Sequence, residues 1–580
     1  MYLPQKTITS LEFDKIRAML ADCAMTEGAK AAALELMPDD DEVHVLRRQR
    51  LTTDAKKLAS YKGYPSFGMI KSVDPHCERA EKGAMLSARE LLDVANVLRT
   101  ARGILEYSRT DRTFETVLDE VFERLTADRP FEDRIYRTVI SEELIADDAS
   151  PALADIRRKI RSATARVKDL LSKYTGGSYA KYLQDSIVTI RNGRYVIPVR
   201  AECKNDVKGL VHDTSASGAT LFVEPMAVVD ANNEIREFEA KEKHEIEKIL
   251  FELSAETAHR ADILRYNTAN IDELAFYFAC ALFSEKIDGA QPRITSGSER
   301  VTELYGARHP LIPKDRVVPV NVALGGSYDT MIITGPNTGG KTVTLKTLGL
   351  FTLMAQSGLH IPAGERSSVA ICDRVLADIG DDQSIEQSLS TFSAHMVNIV
   401  SIVNELTPGA LVLFDELGVG TDPIEGAALA IAVIREVREK GALCAATTHY
   451  AELKSYALNT PGVTNASCEF DVNTLRPTYR LTVGTPGRSN AFAISKRLGL
   501  PEHIIERAEA EVSSDNRRFE DVIDKLEASR IEMERNREET EQMREEYERF
   551  KREAEAKIRA RSAEAEKQAA AAEKKAAQLI

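Results

Sequence analysis

The most informative stretch of this 580-residue sequence is Asp329-Thr330-Met331-Ile332-Ile333-Thr334-Gly335-Pro336-Asn337-Thr338-Gly339-Gly340-Lys341-Thr342. Its first six residues predict a strand, and a helical pattern over 343–356 follows Thr342, the last residue of the stretch. Between them stands G-x-x-x-x-G-K-T, whose glycines let backbone N–H groups wrap phosphate oxygens at a helix N-terminus. We therefore expect Gly335 to Thr342 to hold a nucleotide, with Lys341 reaching the β and γ phosphates and the Thr342 hydroxyl binding Mg²⁺.

Two further apolar runs end in residues suited to the same chemistry. The run 411–414 is followed by Asp415 and Glu416, 74 residues after Lys341. Asp415 fits the Walker-B role of holding Mg²⁺, and Glu416 is placed to orient or deprotonate an attacking water. The run 442–448 ends in His449, which fits a sensor of the γ phosphate. The sequence thus predicts an ATPase that uses ATP and Mg²⁺.

The surrounding patterns predict an α/β fold combined with helical regions. Short apolar runs alternate with helical patterns from about 300 to 500, which favours a mainly parallel sheet with covering helices. Upstream, Asn192-Gly193 between β-branched runs predicts a hairpin. We predict a helical core domain over 1–150, lever helices over 151–295 carrying a β clamp at about 185–225, and an ATPase domain over 296–510.

The last segment, 511–580, is predicted to be a long charged helix. Neither Gly nor Pro occurs after Pro501, and residues 515–580 hold 18 acidic and 16 basic side chains. A solvated single helix and a pairing coiled coil both fit this pattern.

The overall composition is acidic, but one segment is basic. The chain has 77 basic and 91 acidic residues, a net charge of -14, and 43% apolar residues. These values exclude a mainly disordered chain and a uniformly basic coat for nucleic acid. Residues 157–208, however, hold 13 basic and 4 acidic side chains, a local charge of +9. Such a patch predicts phosphate contacts; an ordinary solvated helix face is the alternative. The candidate nucleic-acid residues are Arg157, Arg158, Arg161, Arg191, Arg194, Arg200 and Lys204.

The cellular compartment is predicted from cysteine usage and hydropathy. The seven cysteines are scattered, and none forms a Cys-x-x-Cys pair, which argues against a disulfide framework and a Cys-rich zinc site. The N-terminus lacks the apolar core of a signal peptide. The longest apolar run, 274–283, is too short to span a bilayer and predicts a buried helix. We expect a cytoplasmic protein without a membrane partner.

These motifs together resemble those of the MutS ATPases. The resemblance rests on Gly-Pro-Asn-Thr-Gly-Gly-Lys-Thr at 335–342, Ser-Thr-Phe at 390–392, Asp-Glu-Leu-Gly-x-Gly-Thr at 415–421 and Thr-Thr-His at 447–449. It is supported by Ala-Arg-His-Pro-Leu at 307–311, which is similar to the family's motif at the entrance of the domain. The resemblance implies an ABC-class ATPase fold over about 300–500.

Within that superfamily the chain is similar to the second bacterial type, MutS-II, rather than to mismatch sensors. Only 340 residues precede Lys341, and no Phe-x-Glu wedge occurs in the first 200 residues. The segment 217–225 is similar to the clamp of MutS-II proteins.

The resemblance implies a homodimer with composite ATP sites. In that arrangement Ser390 of one subunit faces the ATP of the other, whereas the residues alone favour a helix cap at this position. It also implies binding to structured nucleic acid, either branched DNA in suppressing recombination or ribosomal RNA in splitting collided ribosomes. The family usually carries a C-terminal Smr nuclease domain, but no Leu-Asp-Leu-Arg-type motif is present. We therefore expect a truncated chain that lacks the family's nuclease domain.

Two other functions are compatible with an ATPase motif set. A structural ATPase of the SMC type needs a long coil between the phosphate loop and the Walker-B strand, and 74 residues leave no room for one. A nucleotide-gated scaffold for a protein partner stays open, and the basic segment 157–208 is the feature that argues against it.

Overall fold

The computed structural model describes residues 1–68, 70–109, 113–336, 339–380, 391–471, 476–487 and 491–511, together with isolated residues between 525 and 551. Three candidate site residues, Asn337, Thr338 and Ser390, lie outside the described residues, as does most of the segment 511–580. The expectations for them stay predictions.

The helices and strands of the described residues have the following bounds. The helices are α1 (Gln5–Ser10), α2 (Phe13–Ala21), α3 (Glu27–Leu34), α4 (Glu42–Lys62), α5 (Asp74–Glu81), α6 (Ala88–Arg109), α7 (Asp119–Phe122), α8 (Arg129–Thr138), α9 (Pro151–Thr175), α10 (Val229–Ala258), α11 (Ala261–Lys286), α12 (Lys341–Gln356), α13 (Thr391–Asn404), α14 (Pro423–Glu439), α15 (Ala451–Asn459), α16 (Ala491–Arg497) and α17 (Glu502–Glu511). The strands are β1 (Val139–Ser141), β2 (Leu144–Ile145), β3 (Thr189–Arg191), β4 (Arg194–Arg200), β5 (Gly209–Thr214), β6 (Thr220–Pro225), β7 (Arg293–Thr295), β8 (Val301–Ala307), β9 (Val320–Gly325), β10 (Thr330–Thr334), β11 (Ser368–Ala370), β12 (Val375–Asp378), β13 (Leu411–Phe414), β14 (Leu443–Thr447), β15 (Val463–Asp471) and β16 (Arg476–Val483).

A six-stranded sheet forms the centre of the C-terminal half, in the order β12-β13-β14-β10-β15-β16. The first five strands run parallel to their neighbours, and β16 is antiparallel to β15. β10, β13 and β14 are buried along their whole length, which explains their unbroken apolar runs. The prediction of a mainly parallel sheet is confirmed. As a consequence, the carboxyl ends of β13, β14 and β10 lie side by side at one edge.

The first two helices pack into the core of this sheet. Leu11 and Phe13 are fully buried in one apolar cluster with Leu345 and Phe351 of α12. The approach is close, since a Cβ added at Gly349 of α12 would lie 2.7 Å from the side chain of Leu11. A second sheet, β7-β11-β8-β9, joins the same cluster. The packing thus unites α1 and α2 with the C-terminal half, which the predicted boundary at residue 150 does not anticipate.

The rest of the first 150 residues forms a helical body together with α11. Its core surrounds Leu274 and Phe278 of α11 and draws on α4 to α8. The predicted buried helix over 274–283 is confirmed, with Phe283 as buried as the others. The polar signals at the helix starts act as expected, since the Asp41 side chain accepts the backbone N–H of His44 at 3.0 Å. The short antiparallel pair β1 and β2 was not predicted.

The clamp sheet, which we define as β3 to β6, sits between two long helices. Its strand order is β3-β4-β6-β5, with every pair antiparallel. The predicted hairpin is confirmed, because Asn192 and Gly193 both have positive φ, 49° and 69°, as a type I′ turn requires. α9 begins after Ser150, whose hydroxyl accepts the N–H of Leu153, and it packs alongside α10. Val167 of α9 lies in the core of the clamp.

Within the part of the chain that the structure describes, every helix is too short or too polar to cross a bilayer.

All seven cysteines are free thiols, six of them buried. Burial raises the pKa of Cys444 and of Cys468 to about 12, so these thiols are protonated at neutral pH.

Candidate active site

The predicted phosphate loop joins β10 to α12 and needs glycine at both ends. Gly335 has φ of 126° and Gly340 has φ of 96°, values that L side chains rarely adopt. A Cβ at Gly335 would also lie 3.0 Å from the backbone oxygen of Cys468 on β15. α12 begins at Lys341, directly after Gly340. The loop therefore leads into a helix N-terminus, whose backbone N–H groups attract anions.

Lys341 is held in place at the centre of the site. Its side chain is buried, and its ammonium donates to the backbone oxygen of Gly335 at 2.8 Å and to Nε2 of His449 at 2.9 Å. Burial lowers the pKa of Lys341, whereas the negative charges of Glu416 and Asp415 oppose that shift. A cation held at a phosphate loop in this way is suited to neutralise phosphate oxygens.

Asp415, at the end of β13, joins the phosphate loop to the neighbouring strand. Its Oδ2 accepts a hydrogen bond from the Thr342 hydroxyl at 2.7 Å, and its Oδ1 accepts one from the Thr447 hydroxyl at 2.5 Å. A hydroxyl and a carboxylate are hard oxygen donors of the kind that Mg²⁺ binds beside phosphate oxygens and water. No cluster of three or more acidic, histidine or cysteine side chains suited to a metal ion occurs among the described residues.

Glu416 follows Asp415 in an unusual backbone conformation. Its φ is 52°, which costs on the order of 1 kcal/mol in a residue other than glycine. The conformation is fixed by its own N–H, which donates to the hydroxyl of Thr447 at 2.7 Å. One threonine of β14 therefore positions both acidic residues. Sequence reasoning missed this role of Thr447, although the residue stands in the Thr-Thr-His signal.

His449 lies beside both Lys341 and Glu416, as the predicted role demands. Its Nε2 is 3.7 Å from Oε1 of Glu416. Burial lowers the pKa of His449, and the positive charge of Lys341 lowers it further. Because an ammonium can only donate, Nε2 of the neutral ring accepts from Lys341 and Nδ1 carries the proton. The imidazole is thus poised next to the position of the terminal phosphate that the loop predicts.

A further polar cluster supports the Walker-B strand from the side. The N–H of Asp415 donates to the backbone oxygen of Asp378 at 2.8 Å. The buried carboxylate of Asp378 contacts Nδ1 of His395 at 2.8 Å and accepts from the amide of Asn398 at 2.7 Å. Both partners belong to α13, the helix that begins one residue after Ser390. No motif in the sequence predicts this cluster, because its members do not form a local pattern.

The predicted nucleic-acid residues are not brought together in the same way. Arg157 is only 12% exposed, and it donates to Glu242 and Asp147 at 2.7 and 2.6 Å. Arg194 donates at 2.8 Å to Glu224, which is fully buried. Arg157 therefore joins α9 to α10, and Arg194 joins β4 to β6, so both guanidinium groups already have acidic partners.

Three more of the predicted residues have acidic partners but stay exposed. Arg158 pairs with Asp155, Arg161 with Asp147 at 3.0 Å, and Arg191 with Asp213 at 3.3 Å.

The last two, Arg200 and Lys204, are exposed at the far end of β4, and the structure gives neither an ion pair within the described ranges. Of the seven residues, these two best fit phosphate binding.

Comparison with known proteins agrees with this geometry. The family description "MutS domain V" matches residues 331–514, a range that contains Lys341, Asp415, Glu416 and His449. Three curated relatives share the same printed name, "Endonuclease MutS2". They come from Acetivibrio thermocellus, at 49% identity over 534 residues, Clostridium perfringens, at 47% over 531, and Alkaliphilus oremlandii, at 45% over 533. Each alignment covers 91% of this chain and 67% of the relative.

Proposed function

The chain belongs to the MutS2 family, and from that premise we propose that it hydrolyses ATP and uses the nucleotide to control a clamp on structured nucleic acid. The observation that carries the ATPase proposal is the 2.7 Å hydrogen bond between Thr342 of the phosphate loop and Asp415 of the Walker-B strand. It unites two sequence motifs, 73 positions apart, at the edge of the sheet where parallel α/β folds bind ligands.

In this proposal each residue has a separate task on ATP. The backbone of Gly335 to Thr342 binds the phosphates, and Lys341 neutralises the β and γ oxygens. Thr342 and Asp415 are the protein ligands for Mg²⁺, which when bound shields phosphate charge. Glu416 accepts the proton of the attacking water or orients it, and His449 contacts the γ phosphate. Thr447 orients the carboxylate of Asp415 and the backbone of Glu416 through its hydroxyl.

We further propose a homodimer in which the segment at Ser390 completes the ATP site of the partner subunit. The ATPase domain over 296–510 then has an ABC-class arrangement, and residues 511–580 form a long charged helix or a coiled coil. ATP binding would close the two ATPase domains and move α9 and α10, and hydrolysis would reset them. These finer features rest on the family resemblance.

The nucleic acid in this proposal is branched DNA or ribosomal RNA, bound in the cytoplasm through the clamp. Support comes from the exposed Arg200 and Lys204 at the end of the clamp sheet. Ribosome quality control and suppression of recombination are the two processes that the family suggests.

The test of the ATPase proposal is Glu416→Gln. Losing the carboxylate removes the proposed base but leaves the phosphate loop intact, so we expect ATP turnover to fall at least about 100-fold while ATP still binds. Turnover is measured by phosphate release and binding by equilibrium titration.

The matched control is Glu439→Gln at the exposed end of α14, which should leave both quantities unchanged. Normal turnover by Glu416→Gln would refute the assignment of the base. Normal turnover by Lys341→Ala as well would refute the ATP site itself.

A further inference from the structure

Three segments meet at the end of the clamp that lies away from the Asn192-Gly193 hairpin. α9 ends at Thr175, and Gly177, with φ of 69°, turns the chain into a short 3-10 helix over 177–182. That helix leads to Leu183, which bridges to Val199 near the end of β4. The N–H of Ala201 then donates to the backbone oxygen of Ala219, in the turn 215–219, at 3.0 Å. We call the surface formed by 174–183, 200–204 and 215–219 the clamp tip.

The clamp tip carries three tyrosines in mutual contact. The ring centroids of Tyr174 and Tyr179 are 5.0 Å apart, and those of Tyr179 and Tyr182 are 6.2 Å apart. Tyr174 and Tyr182 also pack against the apolar core of the clamp, which fixes their rings. Tyr179 lies between them, is 41% exposed, and does not belong to that core. An aromatic ring held by two anchored neighbours is a rigid platform, so little entropy is lost when a flat ligand stacks on it.

Three cationic side chains beside the tyrosines are suited to bind the phosphates of a nucleic acid, but acidic side chains lie near them. The ammonium of Lys181 lies 4.9 Å from the ring centroid of Tyr182, and Arg200 and Lys204 follow on the adjoining segment. Acidic residues also occur on or next to these segments, namely Asp185, Glu202 and Asp206. These three acidic residues balance the three cations, so the aromatic group is the stronger feature of this surface.

We propose that the clamp tip binds unpaired nucleotides, with a base stacked on Tyr179 and adjacent phosphates held by Lys181 and Arg200. Bases within a continuous duplex are stacked on each other and do not offer a face to a side chain, whereas loops and junctions do. The ligand class is therefore structured nucleic acid that contains unpaired positions. This inference rests on the proposed function and specifies the substrate of its clamp.

The test compares two labelled oligonucleotides, a hairpin with an unpaired loop and a fully paired duplex of the same stem. For Tyr179→Ala in the full chain we expect affinity for the loop hairpin to fall about tenfold, the loss typical of one stacked base. Affinity for the duplex should stay unchanged. The salt dependence of binding should also stay unchanged, because stacking releases no counterions.

Two control variants separate stacking from folding. Tyr179→Phe keeps the ring and should bind like the wild type. Tyr266→Ala removes a tyrosine that is 70% exposed on α11 and should have no effect.

Equal losses on hairpin and duplex, or a loss for Tyr179→Phe as large as for Tyr179→Ala, would overturn the stacking site. If the wild type binds both oligonucleotides and Tyr179→Ala matches it, the inference alone fails. If the wild type binds neither, the proposed function fails with it, and the clamp is then a surface for a protein partner.

Discussion

The edge of the central sheet and the clamp with its flanking helices both carry charged side chains. The two regions differ in how those side chains are arranged in space. At the sheet edge, residues as far apart in the chain as Lys341 and His449 meet at 2.9 Å. In the clamp and the helices beside it, Arg194 and Arg157 turn inward to acidic partners. Spacing within motifs predicts the residues at the sheet edge. A count of charges over 157–208 predicts the arginines.

This difference shows what each kind of sequence signal can support. A motif fixes which strand ends carry the polar residues, and parallel pairing brings those ends together. A charge count over a window ignores acids from outside it, such as Glu242 on α10 and Asp147, which neutralise Arg157. The local charge of +9 over 157–208 therefore overstates the positive surface that is available to nucleic acid.

The largest effect that sharpens the comparison is expected for Thr447→Val. Valine keeps the shape but removes the hydroxyl that Asp415 and the N–H of Glu416 share. Losing such buried hydrogen bonds costs about 1 to 3 kcal/mol, so kcat should fall about tenfold to a hundredfold, with KM for ATP nearly unchanged. Steady-state kinetics would measure both. Thr447→Ser restores the hydroxyl and should recover activity; equal defects in the two variants would indicate a packing role.

A smaller effect is expected from a matched pair of changes in the clamp. Arg194→Gln removes the guanidinium from the buried carboxylate of Glu224, which keeps His212 at 2.5 Å and Asn232 at 2.7 Å as partners. We therefore expect the unfolding free energy of the clamp to fall by about 2 kcal/mol. Arg200→Gln removes an exposed side chain, so stability should stay the same, while the slope of log affinity against log salt should fall by about one unit.

Chemical denaturation measures the unfolding free energy, and salt titrations of oligonucleotide binding measure the slope. The interpretation would be wrong if Arg194→Gln changed only the salt slope, or if Arg200→Gln changed only the stability.

Much of the fold is accessible from the sequence because its signals are local. The strand, loop and helix around Gly335 to Thr342, the strand before Asp415 and the hairpin at Asn192-Gly193 all follow from patterns within about ten residues. The packing of Leu11 and Phe13 against α12 does not, since it joins apolar faces more than 300 positions apart.

The site divides in the same way. Lys341, Thr342, Asp415, Glu416 and His449 carry motif signals, and the structure brings them together. The contacts of Asp378 with His395 and Asn398 carry none, because a buried polar cluster between a strand and a later helix depends on three-dimensional packing.

The central claim, that nucleotide controls the clamp, is tested most directly by measuring nucleic-acid affinity with and without a non-hydrolysable ATP analogue. For the wild type we expect the analogue to change the dissociation constant at least about fivefold. For Lys341→Ala, which cannot hold the phosphates, the dissociation constant should be the same in both conditions. A wild-type dissociation constant that does not respond to saturating analogue would contradict the account.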